Sequence, residues 1–196
     1  NITAKEVLID NDKETLVGIG SVEAVDTEGK IINAEKITYE KSREFLLLEE
    51  KVKIVDIEGN ILKTDKATYD KFNEKIITYS NTEVFLNEGY KLISKNILYD
   101  TKNKILSSNA NSLFSDIDGN TVETVGFNYD VKNNLFSSVG KIKIIDMKKN
   151  IYFFKEIHVD TKNKEMIGSD VSVVLDQETF GVSKKNDPRF VSNDIF

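Results

Sequence analysis

The chain has no cysteine, and that excludes disulfides, thiolate metal sites and thiol catalysis throughout its 196 residues. It does not fix the compartment. There is one proline, Pro188, close to the C-terminal end, so no proline interrupts an extended segment before it. A single histidine, His158, excludes a histidine-rich metal motif. No apolar run approaches the roughly 18 residues of a membrane helix. Helical periodicity of any length is absent too. There is no P-loop, no glycine-rich nucleotide loop and no G-x-S-x-G, so nothing positively supports an enzyme. The chain begins at Asn1 without an initiator methionine or a signal sequence. It reads as a mature or trimmed fragment, and missing targeting sequence therefore carries little information.

Charge sets a second bound. The formal net charge of -6 argues against nucleic acid or an anionic membrane surface as the main partner. Basic residues are nonetheless spread along the whole chain. Charged residues are frequent and apolar ones sparse, which suits a fold with much solvated surface. The apolar residues are largely β-branched or aromatic and regularly placed, which argues against disorder.

What the chain does have is a period. Tyr39, Tyr69, Tyr99 and Tyr129 stand thirty residues apart. Asp10, Glu40, Asp70, Asp100, Asp130 and Asp160 keep the same step, as do Leu16, Leu46, Ile76, Leu106, Phe136 and Met166. Gly29, Gly59, Gly89 and Gly119 run in phase with them. A fixed period of this length marks one supersecondary unit stacked on its copies.

Each unit reads as two strands and two turns. One turn is Asp-x-x-Gly: Asp26 to Gly29, Asp56 to Gly59 and Asp116 to Gly119, with Asn87-Glu88-Gly89 degenerate and Asp146 to Asn150 lacking the glycine. The aspartate offers its carboxylate to nearby N–H groups, and glycine tolerates positive φ. The other turn begins at Asp70, Asp100, Asp130 or Asp160 and reaches an asparagine three residues on. Between turns, apolar and polar residues alternate, as in Lys51 to Ile54 and Lys141 to Ile144, the mark of half-buried strands. Strands of about 8–11 residues are expected. Parity slips within them. The apolar set moves from Ile32 and Ala34 to Ile37 and Tyr39, and near Gly20 from Val17 and Ile19 to Val22 and Ala24. These slips predict β-bulges, or strands that cross between sheets.

Three constellations invite chemistry. Asp116-Ile-Asp-Gly-Asn120 resembles the start of a calcium loop, but the twelfth position is Phe127 where an EF-hand needs Glu, and an Asx-type turn explains the same residues. His158 has the chemistry of a general base, but no motif ties it to a nucleophile or a carboxylate. The tyrosine series has two readings: core packing with hydroxyls reaching water, or amphipathic rings lining a groove.

Asn33-Ala-Glu-Lys-Ile-Thr-Tyr39 resembles the N-A-D/E-K-x-x-Y signature of the OstA-like family of lipopolysaccharide transport (LptA, LptC and the N-terminal domain of LptD). Thr64 to Tyr69 and Ser94 to Tyr99 look like further copies, and Gly18 to Val22 is similar to the x-G-N-V element before such a strand. Gly126 to Tyr129 keeps the tyrosine but not the lysine. The resemblance covers residues 1–183, and within the family the tail Asn186-Asp-Pro-Arg189 is similar to the segment that joins the LptD domain to its outer-membrane barrel. The missing cysteines depart from the LptD proteins that staple domain to barrel.

The resemblance implies an all-β fold: a twisted antiparallel β-jellyroll, an open V of two sheets, built from two-strand repeats. It implies a periplasmic domain over 1–183 and a linker over 184–196 leading toward a barrel. Lipid A acyl chains would lie between the sheets, with no cofactor, metal or catalytic residue. Expected partners are lipopolysaccharide, an LptA-like bridge protein joined by edge-strand pairing, an LptD barrel with an LptE-like lipoprotein, and other copies of the chain end to end. By phase, the expected groove residues are Val22, Ile37, Tyr39, Val52, Ile54, Tyr69, Val84, Tyr99, Phe114, Phe127, Tyr129, Ile142 and Ile144. Two alternatives stay open: a free-standing bridge protein of the LptA or LptC kind, and a structural or adhesive β-repeat without lipid cargo.

Overall fold

The thirty-residue period builds a meander of strands, and its turns show how. In a computed structural model, residues 1–175 and 189–195 are described. They form sixteen strands and no α-helix. These are β1 (Ile2–Thr3), β2 (Glu6–Asp10), β3 (Thr15–Val25), β4 (Ile31–Glu40), β5 (Phe45–Val55), β6 (Ile61–Asp70), β7 (Lys75–Thr78), β8 (Asn81–Phe85), β9 (Lys91–Lys95) and β10 (Leu98–Asp100) in the first half. The second half holds β11 (Ile105–Ser115), β12 (Thr121–Asp130), β13 (Leu135–Ile145), β14 (Ile151–Asp160), β15 (Glu165–Val174) and β16 (Arg189–Ile195). The chain divides into two compact units, 1–104 and 105–196.

In the first unit β3, β4, β5 and β6 pair antiparallel in chain order, with β1 and β2 both on β3. The third repeat breaks its strands in two: β6 pairs with both β7 and β8, β8 with β9, and β7 with β10. In the second unit β11 to β16 pair antiparallel in chain order. Residues 189–195 form a strand on β15, and residues 184–188 of the segment expected as a linker lie outside the described ones.

The Asx turns are alike. In each, the aspartate Oδ1 accepts the N–H of the asparagine three residues on, and Oδ2 accepts that asparagine's side-chain amide: 2.9 and 2.8 Å at Asp70, 2.8 and 2.9 Å at Asp100. Asp130 and Asp160 repeat the pair. The residue four on from each periodic acid, Asp10 and Glu40 included, is left-handed: Glu14, Glu44, Glu74, Lys104, Asn134 and Lys164 have φ between 47° and 60°. A type I turn followed by a left-handed residue is a common way to close a hairpin. The carbonyl of that residue accepts the next turn's N–H, from Lys41 to Glu14 at 2.9 Å and from Lys71 to Glu44 at 3.0 Å. In the glycine-free copy of the other turn, Lys149 takes the left-handed place at φ 65°.

The two periodic series prove to be one row. Leu16 faces Tyr39, Tyr39 faces Leu46, Leu46 faces Tyr69, Tyr69 faces Ile76 and Ile76 faces Tyr99. In the second unit the row runs Leu106, Tyr129, Phe136, Val159, Met166. Aliphatic–aromatic cross-strand pairs of this kind are the unit of sheet stabilisation.

The expected bulges are present at mid-strand, between Ile19 and Val22 on β3, between Asn33 and Lys36 in the β4–β5 pairing, and at the same place in later repeats. One detail differs. On β3 the inward residues before the bulge are Leu16 and Gly18, not Val17 and Ile19. Gly20 and Ser21, at φ 78° and 49°, absorb the extra residue.

Candidate functional site

A bulge that adds one residue also bends the strand. A Cβ on Gly18 would lie 3.0 Å from Val22 Cγ1, four residues along the same strand. In a straight strand those residues stand about 13 Å apart, so the strand folds over at the bulge. Phe114 and Phe136 make the same point in the second unit. They sit on rows seven residues apart, about 23 Å along a flat strand, yet their ring centroids are 4.5 Å apart. Within each unit, then, one hydrogen-bonded sheet is bent so that its two halves face each other across an apolar interior.

The two turn series form the lips of this sandwich. Lys30, closing the first Asp-x-x-Gly turn, reaches Tyr69 at the far end of β6, with Nζ 3.0 Å from the phenol oxygen and 4.7 Å from the ring centroid. The next such turn meets the Asx turn at Asp100, Lys104 Nζ lying 3.9 Å from Glu58 Oε1. In the second unit Lys164 Nζ lies 3.6 Å from Asp118 Oδ2. The two ion pairs share the same offset of 46 residues along the chain, and Lys30–Tyr69 joins the same two turn series.

Lys30 and Asp26 form a strongly buried ion pair, with only 8% and 7% of their side chains exposed. The Lys30 ammonium donates to Asp26 Oδ2 at 3.3 Å. Burial works against the charge, but the bond to Tyr69 and the Asp26 carboxylate outweigh it and hold the lysine pKa above its ordinary value. Burial likewise works against the Asp26 anion and is outweighed by the Lys30 N–H and ammonium, so that carboxyl lies below its ordinary range. Tyr99 is pushed well up, first by burial and then by the charges of Asp56 and Glu58.

The thirteen residues expected to line a groove divide by exposure. Val22, Ile37, Val52, Ile54, Tyr69, Val84, Phe127, Tyr129 and Ile142 are buried. Tyr39, Tyr99, Phe114 and Ile144 are half-buried. Tyr39 borders a cavity of about 340 Å³ with Ile9, Asp10, Glu14, Leu16 and Lys41. In the second unit Phe114 meets Phe127 edge-on at 4.9 Å, so an interior aromatic cluster joins the two halves.

The bend carries residues that phase alone did not single out. Thr64, Thr78, Thr82 and Ser94 in the first unit are buried, as are Ser108, Ser112, Thr124 and Ser138 in the second. They serve groups left over by the bulges. Thr82 Oγ1 donates to Thr64 Oγ1 at 3.1 Å, and the Gly126 carbonyl accepts from Thr124 and Ser138 at 3.2 and 2.8 Å. Their signal was present: the positions recur every thirty residues, with Val22, Val52 and Ile142 or Ala34 and Phe154 in the outer copies.

The other constellations resolve plainly. Asp116 Oδ1 accepts the N–H groups of Asp118 and Asn120, and Oδ2 accepts the Asn120 side chain at 2.7 Å, as in an Asx-type turn. His158 is exposed and lies 3.0 Å from Glu156 Oε1, on an outward face away from the interior. Among the described residues no helix is long and apolar enough to cross a membrane.

No protein-family model matches the sequence, and no curated protein matches it. Among solved structures the chain is similar to LptH of Pseudomonas aeruginosa, described as the LptA-homologous periplasmic component of the lipopolysaccharide transport device. The identity is 11% and the TM-score 0.27, over 98% of this chain and 94% of that one. So loose a likeness adds nothing to the all-β antiparallel class that the strands themselves show.

Proposed function

We propose that the chain is a lipopolysaccharide-conducting element that holds lipid A acyl chains between the facing halves of its bent sheets. The observation that carries this reading is the interior itself: an apolar row on each half, with the two lips meeting in front of it. The Asn33 to Tyr39 signature and its copies agree with it. Each methylene withdrawn from water contributes roughly 0.8 kcal/mol. That force has no direction, so it retains a lipid without fixing its position along the groove. The sugars would stay outside, at the charged lips.

In its finer form, this is the periplasmic N-terminal domain of an LptD-like outer-membrane translocon. It would receive cargo from an LptA-like bridge protein by edge-strand pairing and deliver it to a barrel with an LptE-like partner. β2 is suited to such pairing: one edge is bound to β3, and Val7, Leu8 and Ile9 are exposed. A carrier of this kind would draw its transport energy from elsewhere in the pathway.

A second reading is favoured by one observation. Nine of the thirteen expected groove residues are buried against protein, as in a closed core. A structural β-repeat without cargo would look the same. Photocrosslinkers at Tyr39, Tyr99, Phe114 and Ile144 decide between them, with outward Glu23 and Lys53 as controls. The carrier reading expects lipopolysaccharide adducts from the first set only. Equal labelling of both sets, or none, leaves the structural repeat.

A further inference from the structure

We propose that Lys30 and Tyr69 form a latch across the mouth of the first unit, which must part before an acyl chain enters. This rests on the carrier reading for its purpose, but not for its existence. The interior behind the mouth is filled: Ile32, Leu48, Val52 and Ala67 have 1% exposure or less. A chain therefore cannot enter along the lips while they touch. What holds them is polar and local. Lys30 belongs to one lip and Tyr69 to the other, and both the hydroxyl and the ring face of the tyrosine meet the ammonium. Asp26 binds the ammonium from its own lip, 3.3 Å away, so Lys30 keeps a partner when Tyr69 withdraws. Opening thus exposes one retained ion pair and one phenol to water, without leaving a buried charge alone. The Glu58–Lys104 contact one repeat later is longer and partly exposed, and such pairs hold weakly and yield to salt.

The closure is polar and the interior apolar, so the two are separable. Parting the lips costs hydrogen bonds that water replaces. The bend is held by the bulge hydroxyls, Thr64 with Thr82 among them, and these stay in place when the lips part. The opening is a hinge at the bend with its free edge at the lips.

The absence of cysteine allows a clean test. One reporter is Ile54→Cys, on the row beside the second Asp-x-x-Gly turn, and the other is Ala67→Cys, at the bend. Thiol-labelling rates are measured under native conditions with Lys30→Met or Tyr69→Phe added. Lys30→Met is expected to speed labelling at Ile54→Cys roughly tenfold and leave Ala67→Cys unchanged. Tyr69→Phe, which keeps the ring, is expected to give a smaller increase at the same site. Equal acceleration at both reporters would mean general loosening and overturn the latch, as would no change at Ile54→Cys.

A second arm joins Glu58→Cys and Lys104→Cys with a short bis-maleimide and follows lipopolysaccharide binding by native mass spectrometry. The latch expects loss of the lipid adduct on crosslinking, and an adduct of undiminished intensity would overturn it as an entry gate. If uncrosslinked protein binds no lipid, the carrier reading falls, and the labelling rates still decide whether the latch exists.

Discussion

Gly168 on β15 lies directly over the ring of Phe154 on β14. A Cβ placed on the glycine would stand 2.4 Å from Cδ1 and 2.7 Å from Cε1. Phe154 is 3% exposed, packed on the inward face of the bend, and has little room to swing away. Gly168→Ala is therefore expected to destabilise the protein by about 1–3 kcal/mol through overpacking. Gly18→Ala, whose Cβ would meet Val22 Cγ1 at 3.0 Å, is the milder counterpart. Urea unfolding of the two variants checks the order. Equal midpoints would show that the aromatic ring moves as easily as a methyl group.

Glu44 sits at φ 47°, ψ 44°, fully in the left-handed region, and its side chain is exposed. A side chain there costs about 1–2 kcal/mol relative to the right-handed region. Glycine removes that cost but adds freedom to the unfolded chain. Glu44→Gly is expected to stabilise the protein by about 0.5–1 kcal/mol, read as a rise in melting temperature. The same change at Ser42, within the turn but not left-handed, is expected to give no gain. A loss of stability at Glu44 would mean that the glutamate contributes to the turn in another way.

The sequence made the repeat legible because each periodic residue has a local job. The aspartates close turns, the glycines supply positive φ, and Tyr39 and Leu46 alternate along one row. Bulges were legible on β4, where the inward set changes parity from Ala34 to Ile37. On β3 it does not: Gly18 and Val22 share parity, the extra residue being taken up between them, and glycine gives no hydrophobic signal. The folding-over of each sheet was foreshadowed by those slips, read as bulges or as strands that cross between sheets, but not which rows it brings together. That shows only in contacts between rows far apart along a strand, such as Phe114 with Phe136 or Lys30 with Tyr69. No local pattern encodes those. The candidate groove was legible as a face, since phase separates inward from outward residues. Which inward residues keep surface depends on how closely the halves approach.

The Asx turns make stability acid-sensitive. Asp70, Asp100, Asp130 and Asp160 all lie below the ordinary aspartate range. At Asp70 and Asp130 the largest cause is the asparagine side chain, and at Asp100 and Asp160 it is that asparagine's N–H. A carboxyl depressed in the folded state stabilises above its unfolded pKa, about 3.9 for aspartate, and that contribution disappears as pH falls through the folded value. Asp70→Asn with Asp100→Asn is expected to lower stability at pH 7, and the gap from wild type is expected to close as the pH drops below about 4. Denaturant unfolding across that window measures it. A gap independent of pH would assign the turns' contribution to shape and not to charge.

Tyr99 offers a readout of the lips from inside the protein. Burial, then the carboxylates of Asp56 and Glu58 on the facing turn, and then Asp100, push its phenol well above the ordinary tyrosine range. A phenol whose pKa is raised on folding adds stability that is present below its unfolded value, about 10, and is lost as pH rises through the folded one. The ultraviolet absorbance change of phenol ionisation, taken as the difference between wild type and Tyr99→Phe, isolates this residue. Glu58→Gln removes one opposing charge and keeps the shape, so it is expected to lower the Tyr99 pKa while leaving its burial intact. Lys30→Met acts elsewhere on the same mouth. If the lips part as one edge, it exposes Tyr99 to water and carries the facing carboxylates away, and the phenol titrates at lower pH. A Tyr99 titration that responds to Glu58→Gln and not to Lys30→Met would mean that the two repeats open independently.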